Sequence, residues 1–138
     1  MSDQLTIEID NRAAIAALDQ LGAAVERYTK TAAKITADNI AREAKARLQR
    51  QLSGTSTGAT VRGVTVEEAR AGVGYVVLPW NPAEPVRMPN LPIWLEFGTV
   101  KMTARPYFFA SAQLESGAHD RRIREAIGQA IREVGGGD

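Results

Sequence analysis

The sequence predicts an α+β fold: a long N-terminal helix and a C-terminal helix packed on a small antiparallel sheet, a hairpin plus one short strand. Three observations predict it. Residues 11–52 hold no proline and space their apolar side chains three and four apart. "TVRGVTVEEA" and "GVGYVVLPW" carry β-branched and aromatic residues around a polar, glycine-containing connection. After Pro106 the helical spacing returns, ending with Ile123, Ile127, Ile131 and Val134. Helix and strand patterns that do not alternate point to helices against an antiparallel sheet.

The elements follow in order along one expected domain, residues 1–138, with no internal repeat. Residues 1–10 read as an arm. The long helix, 11–52, is rich in alanine, a strong helix former, and Asp10 or Asn11 can cap its start. Leu18, Leu21, Val25, Tyr28, Ala32 and Ile35 form a stripe, which Ile40, Ala44, Leu48 and Leu52 continue on a shifted phase. A straight helix of that length spans about 60 Å, twice the diameter of a small domain. It must break, near Gly22 or Thr29 to Thr31, or project beyond its own domain and seek a partner. Ser53 to Ala59 is a loop of turn formers, and the hairpin occupies 60–80, with strands near Thr60 to Glu67 and Gly74 to Trp80. Residues 81–93 form a loop with Pro82, Pro85, Pro89 and Pro92, which exclude helix interior and central strand. The last block, 94–134, holds a short helical turn in "IWLEF" stopped by Gly98, a third short strand in "TVKMT", and a helix launched by Pro106 that loosens at Ser116 and Gly117. Residues 135–138 are a frayed tail.

Composition narrows the function. With 138 residues and 44% apolar content the chain can bury a real core. No stretch reaches the ~18 to 20 apolar residues of a membrane span, and "MSDQLTIEID" lacks the pattern of a signal peptide, so the expectation is a cytoplasmic site of synthesis and no membrane partner. Cysteine is absent and His119 is the single histidine, which leaves no metal site or cofactor to expect. Net charge is +1, without the basic excess of a phosphate-gripping protein. The cluster Arg42, Lys45, Arg47 and Arg50 fits the C-terminal end of a helix dipole.

Motifs for chemistry fail on inspection. "GTSTGAT" lacks the lysine of a phosphate loop, and "GVGYV" sits in a strand without the third glycine of a dinucleotide fingerprint. No nucleophile elbow occurs, and His119 reads as a solvated residue on a helix surface. Glu67 and Glu68 point to opposite faces of a strand. The expectation is that the protein is not an enzyme, with no catalytic residues.

What remains is "NLPIWLEFGTVKMTARPYFF", which concentrates Trp94, Phe97, Tyr107, Phe108 and Phe109 around Glu96, Lys101 and Arg105. It reads as a fixed corner between two core elements. Trp94 and Phe97 share a helical face and leave Glu96 on another, and Gly98 reverses the chain. A buried Glu96 requires a cation or amide donors, with Lys101 and Arg105 nearest; a solvated Glu96 requires neither and leaves only the aromatics as core.

The corner also carries a resemblance. Glu96, Phe97, Gly98, Thr99, Lys101, Ala104, Arg105, Pro106, Tyr107 and Phe108 stand at the spacing seen in the tail-component, or tail-completion (head–tail joining), family of long-tailed bacteriophages, the minor tail protein Z type. Thr57-Gly58 before a hairpin, after a long amphipathic helix, is similar to that family too. The likeness runs over about residues 12 to 134, with its specificity in 95 to 109; the proline-rich link is longer than the family's usual one. It implies a structural virion protein of the phage neck, a tail-terminator subunit that forms a homo-oligomeric ring, six-fold in relatives. Such a ring caps the tail tube, meets the tube protein on one side and head-closure or connector proteins on the other, and passes DNA through its lumen. The implied location is the virion, after assembly in the host cytoplasm. The corner residues Trp94, Glu96, Phe97, Gly98, Thr99, Lys101, Arg105, Pro106 and Phe108 are then structural. Trp80, Pro82, Pro85, Arg87, Met88 and Pro89, with the long helix, are the expected contacts. Another neck component, of head-closure or adaptor type, is the alternative in the same class, and a nucleic-acid-binding regulator the alternative outside it.

Overall fold

A computed structural model of the chain describes residues 6–52, 58–70, 72, 74–81 and 91–136. Helix α1 runs unbroken from Arg12 to Gln51, 40 residues. At Gly22 nothing crowds the backbone, so the glycine costs the helix only its low propensity, about 1 kcal/mol. Thr29 and Thr31 fold their hydroxyls back, donating to the Val25 carbonyl at 2.6 Å and the Arg27 carbonyl at 3.1 Å, and the helix continues past them. Asp10 serves the start: its carboxylate accepts the Arg12 N–H at 3.0 Å, while the Asn11 side chain makes no capping bond.

Past the loop the chain enters α2 (Ala59–Gly63), then β1 (Thr65–Glu68), which pairs antiparallel with β2 (Tyr75–Leu78), Thr65 opposite Leu78 and Glu68 opposite Tyr75. The strand expected from Thr60 therefore starts later, at Thr65. Gly58, at φ +81°, turns the chain, and one helical turn then sets Val61 against the core and brings Gly63 close to the Pro79–Trp80 backbone. Packing overrides the β preference of this stretch.

Helix α3 (Leu91–Phe97) begins inside what the sequence assigned to the proline-rich loop. Pro92 fits its first turn, where no intrahelical N–H is needed. Helix α4 (Phe108–Val134) starts two residues after Pro106 and passes Ser116 and Gly117 without loosening, Ser116 Oγ donating to the Gln113 carbonyl at 2.9 Å. The expected third strand at "TVKMT" does not form. Thr99 and Met102 bond each other's backbone instead, at 2.8 and 3.3 Å, because Gly98 steers the chain into a turn; among the described residues the sheet has two strands.

Helices α1 and α4 are antiparallel. Gln51 reaches the Pro106 carbonyl at one end and Arg27 pairs with Glu133 at the other. Between them Thr36 Oγ1 lies 2.8 Å from His119 Nδ1, and Arg122 donates to Thr36 at 3.0 Å and Glu115 at 2.8 Å. His119, expected solvated, is thus half-buried and pins the helix pair. The seam itself is made of small residues: Ala24, Ala32, Thr36, Ala37, Ala41 and Ala44 face Ser111, Ala126 and Ala130. Of the stripe read from the sequence, Ala32, Ala44 and Leu48 are buried, while Leu18 and Ile35 are 66% and 46% exposed. Alanine lets two backbones approach closely but removes little apolar area from water, at roughly 25 cal/mol per Å². The main core forms at one end, where Ala41, Ala44 and Leu48 of α1 meet Val64, Leu95 and Tyr107. At the other end every residue from Asn11 to Gln20 is exposed, an overhang of about 15 Å with no helix beside it.

Candidate functional site

The corner between α3 and α4 is the most elaborated part of the molecule. Helix α4 starts at Phe108 with no side-chain cap of its own, so its first amides need acceptors from elsewhere. Glu96 supplies them. Its Oε2 accepts the N–H groups of Tyr107 and Phe108, each at 2.9 Å, and its Oε1 accepts that of Phe109 at 3.2 Å. A carboxylate suits this place, because the helix N-terminus presents both free donors and partial positive charge. The residue is buried, and among the described residues none of its hydrogen bonds goes to a cation. Lys101 and Arg105 are exposed, and Arg105 Nη1 instead reaches the Gln51 carbonyl at 3.4 Å. The ion pair that spacing suggested is replaced by the amide alternative.

The connection is built to deliver those amides. Gly98 adopts φ +77°, and a Cβ there would stand 2.8 Å from Ala104 N and 2.9 Å from Met102 O. Thr99 Oγ1 accepts the Lys101 N–H at 3.3 Å inside the turn, and the Arg105 N–H returns to the Leu95 carbonyl at 2.6 Å. Pro106 sets the backbone before the helix while its carbonyl accepts from Gln51 at 3.3 Å. Glu96, Gly98, Thr99, Arg105 and Pro106 thus act on the path of the chain.

Burial within α3 overturns the expectation that Trp94 and Phe97 are core, and takes the buried one of the two choices open for Glu96. Leu95 and Glu96 face inward, while Trp94 and Phe97 are 38% and 69% exposed. Seven residues of helix have one inner face, and Glu96 must occupy it to reach the amides. Of the aromatics read as core, Tyr107 is fully buried, and Met102, which sequence reasoning passed over, packs against the same cluster. Burial raises the Tyr107 phenol well above its usual range, and among the described residues the hydroxyl has no hydrogen-bond partner. Its place beside Pro106 in a run of aromatics was the only signal available. Phe108 is half-buried against the core, edge-on to Tyr107 with ring centroids 6.1 Å apart.

Outside, the aromatics border a concave apolar site. Pro79, Trp80, Phe97, Phe108 and Phe109 line a cavity of about 300 Å³, with the Phe97 and Phe109 rings 6.1 Å apart. Trp80 is 42% exposed there, as the contact reading of that residue requires. Pro82, Pro85, Arg87, Met88 and Pro89 lie outside the described residues. A second, open groove of about 680 Å³ runs between α1 and the α2–β1 segment, bordered by Asp38, Arg42, Lys45 and Arg62. Among the described residues no three His, Asp or Glu side chains converge as a metal site, and no helix is long and apolar enough to cross a membrane. No family model matches the chain, and no curated protein or solved structure matches it significantly.

Proposed function

We propose that the protein is a structural subunit of a long-tailed phage neck, a tail-completion or tail-terminator component that works by binding alone. The observation that carries this reading is apolar surface left open on the described residues: Ile15 and Leu18 on the overhang, Trp80, Phe97 and Phe109 at the corner, Ile127 and Ile131 on α4. Solitary proteins rarely leave such patches open, and they mark interfaces.

The corner supports the same reading from its likeness to the tail-completion motif. Glu96, Gly98, Thr99, Arg105 and Pro106 all serve the join between two helices, which is the use a building block has for them. Ring formation, contact with the tail tube and with head-closure or connector proteins, DNA passage through a lumen, and residence in the virion belong to this proposal. The decisive experiment removes the protein during phage assembly and images the particles. Unjoined heads and tails are the expected outcome; normal infectious particles would sink the reading.

A second reading, nucleic-acid binding, draws on the groove bordered by Arg42, Lys45 and Arg62. It requires duplex affinity that falls steeply with salt, while the subunit reading requires none.

A further inference from the structure

The sheet leaves β1 paired on one side only. The Ala69 N–H donates to the Gly74 carbonyl at 2.8 Å, in the same register that sets Glu67 opposite Val76 and Thr65 opposite Leu78. Hydrogen-bonded and non-bonded pairs alternate along an antiparallel ladder. Thr65, Glu67 and Ala69 therefore direct their backbone groups to β2, and Val66 and Glu68 direct theirs away from it. Among the described residues the sheet has no third strand, and neither backbone group of Val66 finds a backbone partner elsewhere. An open edge of this kind is a template for one more strand.

The open side of β1 borders the larger groove. Asp38, Arg42 and Lys45 of α1 flank it on one side, Arg62, Thr65 and Val66 on the other, and no β2 residue lines it. Its volume is about 680 Å³, and Ala41 and Val64, both buried, form an apolar base. Its charge is one-sided. Asp38 is neutralised by Lys34, whose Nζ lies 2.6 and 2.8 Å from the two carboxylate oxygens. Arg42 donates to the uncharged Asn39 side chain at 2.6 Å, and Lys45 is half-buried. Among the described residues neither of these cations is bonded to a carboxylate.

We propose that this groove is a strand-addition site for an extended, acidic segment of a partner protein, which pairs its backbone with the open edge at Val66 and sets carboxylates against Arg42 and Lys45. In such additions main-chain hydrogen bonds supply affinity and side chains supply specificity. The lining names the occupant's chemistry: carboxylates answer the two cations, and small apolar side chains answer Ala41 and Val64. A nucleic-acid duplex fits less well. It has no use for the apolar base or for an N–H and C=O directed from a strand edge, and a net charge of +1 attracts it little. The site is separate from the overhang and the corner, and it stands whether or not the phage reading does.

Fluorescence anisotropy of a labelled, alternating valine–glutamate octapeptide against the full chain tests it, from about 1 µM to 1 mM. The wild type should bind this peptide and not its valine–lysine counterpart. Lys45→Glu and Arg42→Glu should each weaken binding at least about tenfold with an unchanged circular dichroism spectrum, because each sets like charges face to face. Methylating alternate backbone nitrogens of the peptide keeps its charge and removes its donors, and the methylated form that blocks the β1 side should not bind. The Val66 amide should become protected from hydrogen exchange when the peptide binds, which attraction between surface charges alone does not produce. Equal binding of both methylated forms, or no new protection at Val66, would overturn strand addition without any variant having to fold. A folded wild type that ignores the peptide would overturn the site. Preference for a DNA duplex over the peptide would overturn the partner's class. A full chain that self-associates in solution until Lys45→Glu prevents it would put a second copy in the groove and overturn the partner. Normal particles formed without the protein would sink the phage reading and leave this site standing.

Discussion

At the scale of single residues, α4 begins without a local cap, and Glu96 provides one from 11 residues upstream of Tyr107. Glu96→Ala orphans three buried or half-buried amides and should lower stability by about 3 kcal/mol in urea denaturation. Glu96→Gln keeps an acceptor but loses the charge, and about 1 to 2 kcal/mol is expected. A double-mutant cycle between Glu96 and Arg105 should show coupling below about 0.5 kcal/mol, since no bond joins them; a larger value would revive the ion pair. Gly98→Val places a β-branched residue at φ +77° and drives its Cβ to 2.8 Å from a backbone nitrogen. Strain and overpacking together should cost at least about 3 kcal/mol, and an unchanged denaturation midpoint would contradict that geometry. The motif's spacing was legible in the sequence, and so was the role of Gly98. The acceptor role of Glu96 was one of several open choices, because a carboxylate beside two cations and a helix start fits either partner until the distances are known.

At the scale of elements, α1 serves two ends of the molecule differently. Its C-terminal half buries Ala41, Ala44 and Leu48, while residues 11–20 bury nothing. Removing residues 1–19 should therefore change the stability of the remainder by no more than about 0.5 kcal/mol, the range of exposed substitutions, read by urea denaturation. A large loss of stability would show that the overhang packs on its own chain. The Thr36–His119–Arg122–Glu115 network gives a second handle. The hydrogen bond from Arg122 holds the Glu115 carboxyl below its ordinary value of 4.5. A depressed carboxylate stabilises the fold above that value and loses its contribution as pH falls through the lowered one. Arg122→Met should accordingly shallow the acid limb of the stability profile below about pH 5 and leave its alkaline limb unchanged, read by denaturation across pH. The seam of alanine was legible to periodicity analysis at Ala32 and Ala44 but not at Ala24, Ala37 and Ala41, for a physical reason. Large apolar residues dominate any such stripe, yet the close approach of two helices selects the smallest side chains.

At the scale of the whole molecule, the described residues leave large apolar side chains open on three faces: Ile15 and Leu18 on α1, Trp80, Phe97 and Phe109 at the corner, Ile127 and Ile131 on α4. A subunit that works by binding through such faces should lose its place in the particle when one is made polar. Phe97→Glu, at an exposed side chain, should keep the native circular dichroism spectrum yet fail to join tails; particles that incorporate it like the wild type would contradict the corner as a contact.

Sequence alone determined the α+β class, the succession of long helix, hairpin, short helix and final helix, the unbroken run of helix formers too long for one small domain, and the reversal at Gly98. These are local matters, set by side-chain spacing, by propensity and by which backbone angles a residue tolerates. Only the tertiary structure decided that Leu95 and Glu96 turn inward while Trp94 and Phe97 turn out, that "TVKMT" is a turn, and that α1 overhangs instead of breaking. Those outcomes depend on amides and methyl groups brought together from distant parts of the chain, and no window of sequence contains both partners.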